Sequence, residues 1–179
     1  MLEDKLLILR CKCGSKAAFQ CIYEKYEGDL RTLAANLIFD KTAAEDIVHD
    51  VFVSLLQIMR DFELRSSLPG YLKTCVANKA RNYRKKKQPR MLADSVADQL
   101  VSNEDPIQLV EQSEKLQQLG LAMNRLPYEQ REAIALYLHG KMTFRAIAKL
   151  QQVSIKTVHS RYREGLDGLK SILNGEVER

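Results

Sequence analysis

The chain of 179 residues is 45% hydrophobic and 28% charged, with a net charge of +5 at neutral pH. That balance suits one ordinary domain or two small ones and excludes collagen-like and low-complexity classes. Four cysteines are too few for a disulfide scaffold, and eight glycines, four prolines and no tryptophan argue against a turn-rich all-β fold.

The longest apolar run, such as Leu6 to Leu9, is far too short to span a bilayer, and no small-residue cleavage site follows it. The expectation is a soluble intracellular protein without membrane insertion. Charge is unevenly spread: residues 1–90 carry +6, residues 91–125 carry −4 and residues 126–179 carry +3. Two basic blocks separated by an acidic stretch point to two modules that face a polyanion and a linker that avoids it.

In chain order, Phe19, Ile22, Tyr23, Tyr26, Leu30, Leu33 and Leu37 recur at spacings of three and four, which predicts a helix with one apolar stripe. Asp40-Lys41-Thr42 interrupts it, and Thr42 with Glu45 reads as a capping box opening a second helix. The stripe of that helix is Ile47, Val48, Val51, Phe52, Leu55, Ile58 and Met59. Val53 and Leu56 fall outside the stripe, which leaves two readings: a central helix buried all round, or spare apolar surface for a protein partner. A third helix is predicted from Ser67, with Pro69 in its first turn and Leu72, Cys75, Val76 and Ala80 buried.

Between Glu63 and Asp94 there is no acid, yet Arg65, Lys73, Lys79, Arg81, Arg84, Lys85, Lys86, Lys87 and Arg90 all occur. A merely solvated helix face interleaves acids with bases, so their exclusion suggests a surface shaped by phosphates. Tyr71, Asn78, Asn82 and Tyr83 lie among these cations; tyrosine can stack on an unpaired base and asparagine can read a base edge. The candidate nucleic-acid residues here are Arg65, Tyr71, Asn78, Lys79, Arg81, Asn82, Arg84, Lys85 and Lys86.

Residues 91–114 are acidic, contain Pro106 and show irregular apolar spacing, and read as a flexible tether between domains at 1–90 and 115–179. Beyond it, Leu126-Pro127 opens a helix carrying Ile134, Leu136, Tyr137 and Leu138, with Gly140 at a left-handed cap. Thr143 caps a short helix containing Phe144, Ile147, Ala148 and Leu150, and Ser154 caps a last helix with Ile155, Val158, Tyr162, Leu166, Leu169 and Ile172. No strand-like alternation occurs, so the predicted fold is all-α: two small helical domains joined by an acidic linker, the second a helix-turn-helix.

In that second domain Ile147, Ala148, Val153, Ile155 and Val158 would lock the short helix to the long one. Ser154, Lys156, Thr157, His159, Ser160, Arg161 and Arg163 are then left near the outer face, as hydroxyls and cations able to bond base edges and phosphates in a major groove. An ordinary helical hairpin with a solvated face would read the same way from this stretch alone. Cys11, Cys13 and Cys21 lack the ligand spacing of a zinc site, and a lone His49 among acids makes no phosphotransfer centre. No metal, cofactor or active site is expected.

Several motifs in order resemble a bacterial RNA polymerase sigma factor of the extracytoplasmic-function (ECF) group. They are Ala18-Phe19 with Tyr23 and Tyr26; Ala44-Glu45-Asp46-Ile47-Val48-His49-Asp50-Val51-Phe52; Tyr71-Leu72; Ala77-Asn78; and Arg84-Lys85-Lys86. In the second half they are Leu126-Pro127, Arg131-Glu132, Ile147-Ala148, and Ser154 with Thr157-Val158 and Ser160-Arg161. The resemblance implies that the second helix grips the clamp coiled coil of core RNA polymerase through Asp46, His49, Asp50 and Phe52. It implies that the following stretch opens and reads the −10 element, with the loop Phe62 to Gly70 pocketing a flipped base and Tyr71, Asn78, Arg81 and Arg84 holding the strand.

The last helix would read the −35 element as duplex, next to the polymerase flap, and the linker would thread toward the RNA exit path. An anti-sigma factor is a further candidate partner, and the resemblance implies a cytoplasmic, nucleoid-associated protein that is not an enzyme. A free-standing helix-turn-helix regulator with an N-terminal dimerisation or sensing domain is the alternative. The chain departs from the family at Tyr71 for Trp, His49 for Gln, Ala146 for Glu, Lys156 for Gly, His159 for Lys and Glu164-Gly165 for Arg-Ala, and Gln152 holds a turn position where Gly is usual.

Overall fold

A computed structural model of the chain describes residues 2–64, 67–91 and 118–175. Arg65 and the part of the acidic stretch from residue 92 to 114 lie outside the described residues. The chain divides into two compact units, Met1–Pro89 and Arg90–Arg179. All regular elements among the described residues are helices.

The first unit contains α1 (Leu2–Lys12), α2 (Lys16–Ile38), α3 (Lys41–Ile58) and α4 (Leu68–Met91), the last reaching just past the unit's boundary. α2 forms where its stripe predicts: Ile22, Tyr26, Leu30, Leu33 and Leu37 are buried, one helical turn apart. Each such side chain contributes about 1.5–3 kcal/mol by leaving water, so the stripe outweighs any single cap. Gly14 turns the chain between α1 and α2 at φ +85, a left-handed conformation that suits glycine. Ser15 then caps α2, its hydroxyl accepting from the Ala18 N–H at 3.3 Å.

α1 was not foreseen. Its inward positions are Asp4, Ile8 and Cys11, so an acid occupies a place in the stripe where an apolar residue would have revealed it. Asp4 accepts from the Tyr26 hydroxyl at 2.6 Å and from Lys25 Nζ at 3.0 Å, and Lys25 also reaches Glu3 at 2.6 Å. Burial pushes the Asp4 carboxyl up, but the hydrogen bonds from Tyr26 and Lys25 outweigh it and hold the carboxyl below its ordinary value. Tyr26 is pushed up to about 12, first by burial and then by bonding Asp4.

The start of α3 corrects the capping-box reading. Asp40, not Thr42, is the cap: it is extended (φ −137, ψ 106) and its carboxylate accepts from the Ala43 N–H at 3.0 Å. Thr42 and Glu45 are exposed near the start of α3. α4 begins as predicted after Ser67, whose hydroxyl accepts from the Gly70 N–H at 3.2 Å. It buries Leu72, Val76, Ala77 and Ala80, with Cys75 half-buried.

The second unit contains the helical residues 118–125, here α5, followed by α6 (Tyr128–Leu138), α7 (Phe144–Gln151) and α8 (Ile155–Leu173). α6 and α7 both pack on α8. Thr143 and Ser154 cap α7 and α8 as predicted, accepting from Ala146 N at 3.3 Å and Thr157 N at 3.0 Å. The cap after α6 differs from expectation. Lys141 takes the left-handed conformation (φ 48), while a Cβ on Gly140 would come within 2.4 Å of the Leu136 carbonyl oxygen. Close approach, not positive φ, requires glycine there.

Candidate nucleic-acid interface

α4 brings most of the cations onto one helix, and the acids missing from its own sequence are supplied by α3. Lys79 Nζ lies 3.2 Å from Asp50 Oδ2. One turn further on, Tyr83 donates to Asp40 Oδ2 at 2.8 Å, and Lys87 reaches the same oxygen at 3.4 Å. Lys79, Tyr83 and Lys87 are spaced by four and form the edge of α4 that faces α3. Three bonds therefore draw on Asp40: the Ala43 N–H first, then Tyr83 and Lys87, and together they hold its carboxyl below the ordinary value against the effect of burial. The tie raises Lys87, chiefly through Tyr83, and Tyr83 is raised first by burial and then by Asp40.

Away from that edge, Asn78, Asn82, Lys85 and Lys86 are exposed, and Arg81 and Arg84 are half-buried. The four exposed residues carry the open face of α4. Tyr71 is half-buried, with its ring 4.9 Å from that of Phe62, and burial pushes its hydroxyl up to about 12, assisted by a hydrogen bond to Cys75. The loop proposed to hold a flipped base is described only in part: Phe62 is buried beneath it, and Arg65 lies outside the described residues.

On α3, Asp46, His49 and Asp50 are exposed, but Phe52 is only 2% exposed. Its ring packs against Tyr23 at 4.7 Å and Phe19 at 6.3 Å, so Phe52 belongs to the core and does not form contact surface. The two apolar residues left outside the stripe do emerge, Val53 at 38% and Leu56 at 55%, together with Ile58 at 44%. α3 therefore presents acids and an apolar patch side by side on its outer surface.

In the second unit Lys156, Ser160 and Arg163 are exposed on α8 at spacings of four and three. The candidate residues beside them differ in how free they are. Ser154 and Thr157 share a hydroxyl–hydroxyl bond of 2.8 Å at the start of the helix. Ser160 donates to Glu164 at 2.6 Å, which keeps its oxygen available as an acceptor, and Glu164 also accepts from Gln130 at 3.2 Å. His159 is exposed but rests on the Phe144 ring at 4.0 Å, beside an aromatic cluster of Tyr137, Phe144 and Tyr162. Arg161 is half-buried and donates to Gln151 at 2.7 Å.

Gln151 in turn donates to Glu132 at 2.9 Å, and Tyr128 donates to the other Glu132 oxygen at 3.2 Å. Glu132 is 1% exposed. Sequence reasoning missed this network because a Glu at a helix position reads as surface unless its partners are known. Arg161 thus braces α8 against α6 and α7, and its candidacy for base contact passes to Lys156, Ser160 and Arg163. Gly165 is buried against α6: a Cβ there would come within 2.7 Å of Ile134 Cδ1 and 3.2 Å of Gln130 Cβ.

Comparison with known proteins agrees with the order of these units. Residues 22–90 match the family Sigma-70 region 2, and residues 116–167 match Sigma-70, region 4. The chain is similar to the ECF RNA polymerase sigma factor SigX of Bacillus subtilis, 26% identical, over 85% of this chain and 81% of that protein. It is 24% identical to the ECF RNA polymerase sigma-E factor of Escherichia coli over 93% of each. Among solved structures it is similar to the sigma factor RpoE in complex with the anti-sigma factor NepR from Bartonella quintana. That likeness has a TM-score of 0.68 and 25% identity, covering 90% of this chain and 98% of that one.

Proposed function

The chain belongs to the ECF sigma factors, and from that premise we propose how its residues divide the work between polymerase and promoter. As a sigma factor it binds core RNA polymerase and directs promoter-specific transcription initiation; the reading as a free-standing regulator is not favoured. The observation that carries this is the pair of matched families in sequence order, the first on the unit with the basic helix and the second on the unit with the helix-turn-helix.

Residues 1–90 form the polymerase-binding and −10 domain in this proposal, 91–114 the linker and 115–179 the −35 domain. The acids Asp46 and Asp50, with His49 beside them, and the apolar pair Val53 and Leu56 suit a docking face on α3 that meets a cationic, partly apolar surface of the polymerase clamp. Phe52 supports that face from beneath. On α4, Asn78, Arg81, Asn82, Arg84, Lys85 and Lys86 follow the unpaired −10 strand, with Tyr71 beside the flipped base. Cations neutralise the strand's phosphates while the polar groups read bases, which offsets the cost of unstacking.

On α8, Lys156, Ser160 and Arg163 meet the −35 duplex, His159 at their flank, and the N–H groups at the Ser154 cap point to a phosphate. The chemistry of RNA synthesis stays with the polymerase; this chain is a binding and strand-opening subunit and not an enzyme. It works in the cytoplasm on the nucleoid. An anti-sigma factor is a further proposed partner, supported by the neighbour solved with NepR.

The test is transcription reconstituted from core polymerase, the full chain and a promoter library. Replacing Arg84, Lys85 and Lys86 with Ala is expected to reduce open-complex formation while co-purification with core persists. Each strand phosphate released flattens the salt dependence by about 0.7, so the triple variant should lower the slope by about 2. Open complexes that form normally with an unchanged slope would remove α4 from the strand-binding role.

A further inference from the structure

Asp50 and Lys79 belong to surfaces with two different proposed partners, yet in the free chain they are each other's partner at 3.2 Å. We propose that this ion pair couples polymerase docking to strand binding, a reading that rests on the assignment of α3 to polymerase and α4 to the −10 strand. While the chain is free, Asp50 neutralises Lys79. When α3 docks, a cation of the polymerase takes over Asp50, and Lys79 is released to a phosphate of the opened strand.

The geometry allows that exchange without rearranging the domain. The Asp50 side chain is 65% exposed and the Lys79 side chain 33%, so each can swing to another partner through water. Val51 and Leu55 of α3 and Val76 and Ala80 of α4 are at most 1% exposed, so each helix is anchored in the core by residues other than the pair. The second bridge between the same helices has a different character. Asp40 is occupied by its own helix cap and by Tyr83 as well as Lys87, and its side chain is 21% exposed. That site is a fastening, whereas Asp50–Lys79 is a single surface contact.

The strength of such a contact sets the scale of the effect. Exposed ion pairs are weak, so the coupling amounts to roughly two- to five-fold in affinity. By linkage the effect is reciprocal: strand binding strengthens docking by the same factor that docking strengthens strand binding. The device would keep a free sigma factor from engaging stray single strands with its full charge, and it would add Lys79 only once the polymerase is present.

The experiment measures binding of a short labelled single-stranded oligonucleotide of mixed sequence to the full chain, alone and in holoenzyme, with core polymerase alone as the blank. Asp50→Asn is expected to raise the affinity of the free chain roughly two- to five-fold at low salt. The same substitution in a Lys79→Gln background should change nothing. In holoenzyme at saturating core, the gain from Asp50→Asn should vanish, and Lys79→Gln should bind more weakly than wild type.

If Asp50→Asn leaves the free chain's affinity unchanged while Lys79→Gln still weakens the holoenzyme, the coupling is overturned and the strand-binding role of α4 stands. If Lys79→Gln has no effect in holoenzyme and Asp50→Asn leaves core affinity unchanged, the residue assignments on which the coupling rests are overturned with it. Unfolding curves of both variants that match wild type exclude misfolding as the source of any change.

Discussion

Gln152 shows how a single residue can depart from its family and keep the fold. It holds the left-handed conformation between α7 and α8 (φ 56, ψ 41), and its N–H still bonds the Ala148 carbonyl. A side chain with a Cβ costs roughly 1–2 kcal/mol in that conformation, because the Cβ crowds the following carbonyl. Gln152→Gly is therefore expected to stabilise the second unit by about 1 kcal/mol, measured by denaturant unfolding followed at amides of α7 and α8. A variant less stable than wild type would mean that the glutamine side chain makes a compensating contact. The same scale explains Phe52: its place in the stripe of α3 was plain from the sequence, and the Tyr23 and Phe19 rings that cover it came from another helix.

Among elements, α3 and α4 depend on each other through Asp40. One carboxylate caps α3 and fastens Tyr83 and Lys87 of α4. Asp40→Ala removes all of this and is expected to cost the first unit about 2–3 kcal/mol. Asp40→Asn keeps an oxygen for the cap and for Tyr83, and should cost about 1 kcal/mol. Unfolding curves for the two variants check the order; equal losses would show that charge, and not capping, dominates.

The helices with apolar stripes, α2 and α3, were legible from spacing, as were the Thr143 and Ser154 caps. α1 was not, because Asp4 fills a buried position, and the Asp40 cap lost out to a capping-box pattern two residues on. An acid's role depends on what lies across from it, which local sequence does not state.

At the scale of the molecule, Asp4 and Asp40, two carboxylates held below their ordinary values among the described residues, lie in the first unit. A carboxyl whose pKa is lower in the fold stabilises it above the unfolded value and loses that contribution as pH falls through the folded one. Stability of the first unit should thus decline below about pH 3.8, with α1 loosening as Asp4 takes up a proton and releases Tyr26 and Lys25. Amide exchange along α1, followed as pH falls from neutral to well below 3.8 until the Asp4 carboxyl is seen to protonate, checks this; protection that stays constant through that protonation would show that α1 is held by its apolar contacts alone. In the alkaline direction Tyr26 and Tyr71, both pushed up to about 12, should ionise well above the ordinary tyrosine value of 10.0 in an absorbance titration.

Periodicity, composition and motif order by themselves determined that this protein is all-helical, that it carries a helix-turn-helix and that it resembles a sigma factor. Those properties depend on which residues are apolar and how far apart they stand along one chain. Tertiary structure alone decided which charges are available. The acid-free run of α4 looked wholly free for phosphate, yet Lys79, Tyr83 and Lys87 are held by acids of α3, and Arg161 is turned inward to Gln151. Electrostatic and hydrogen-bonding partners are chosen by distance in space, and a helix's own sequence contains only one side of each pair.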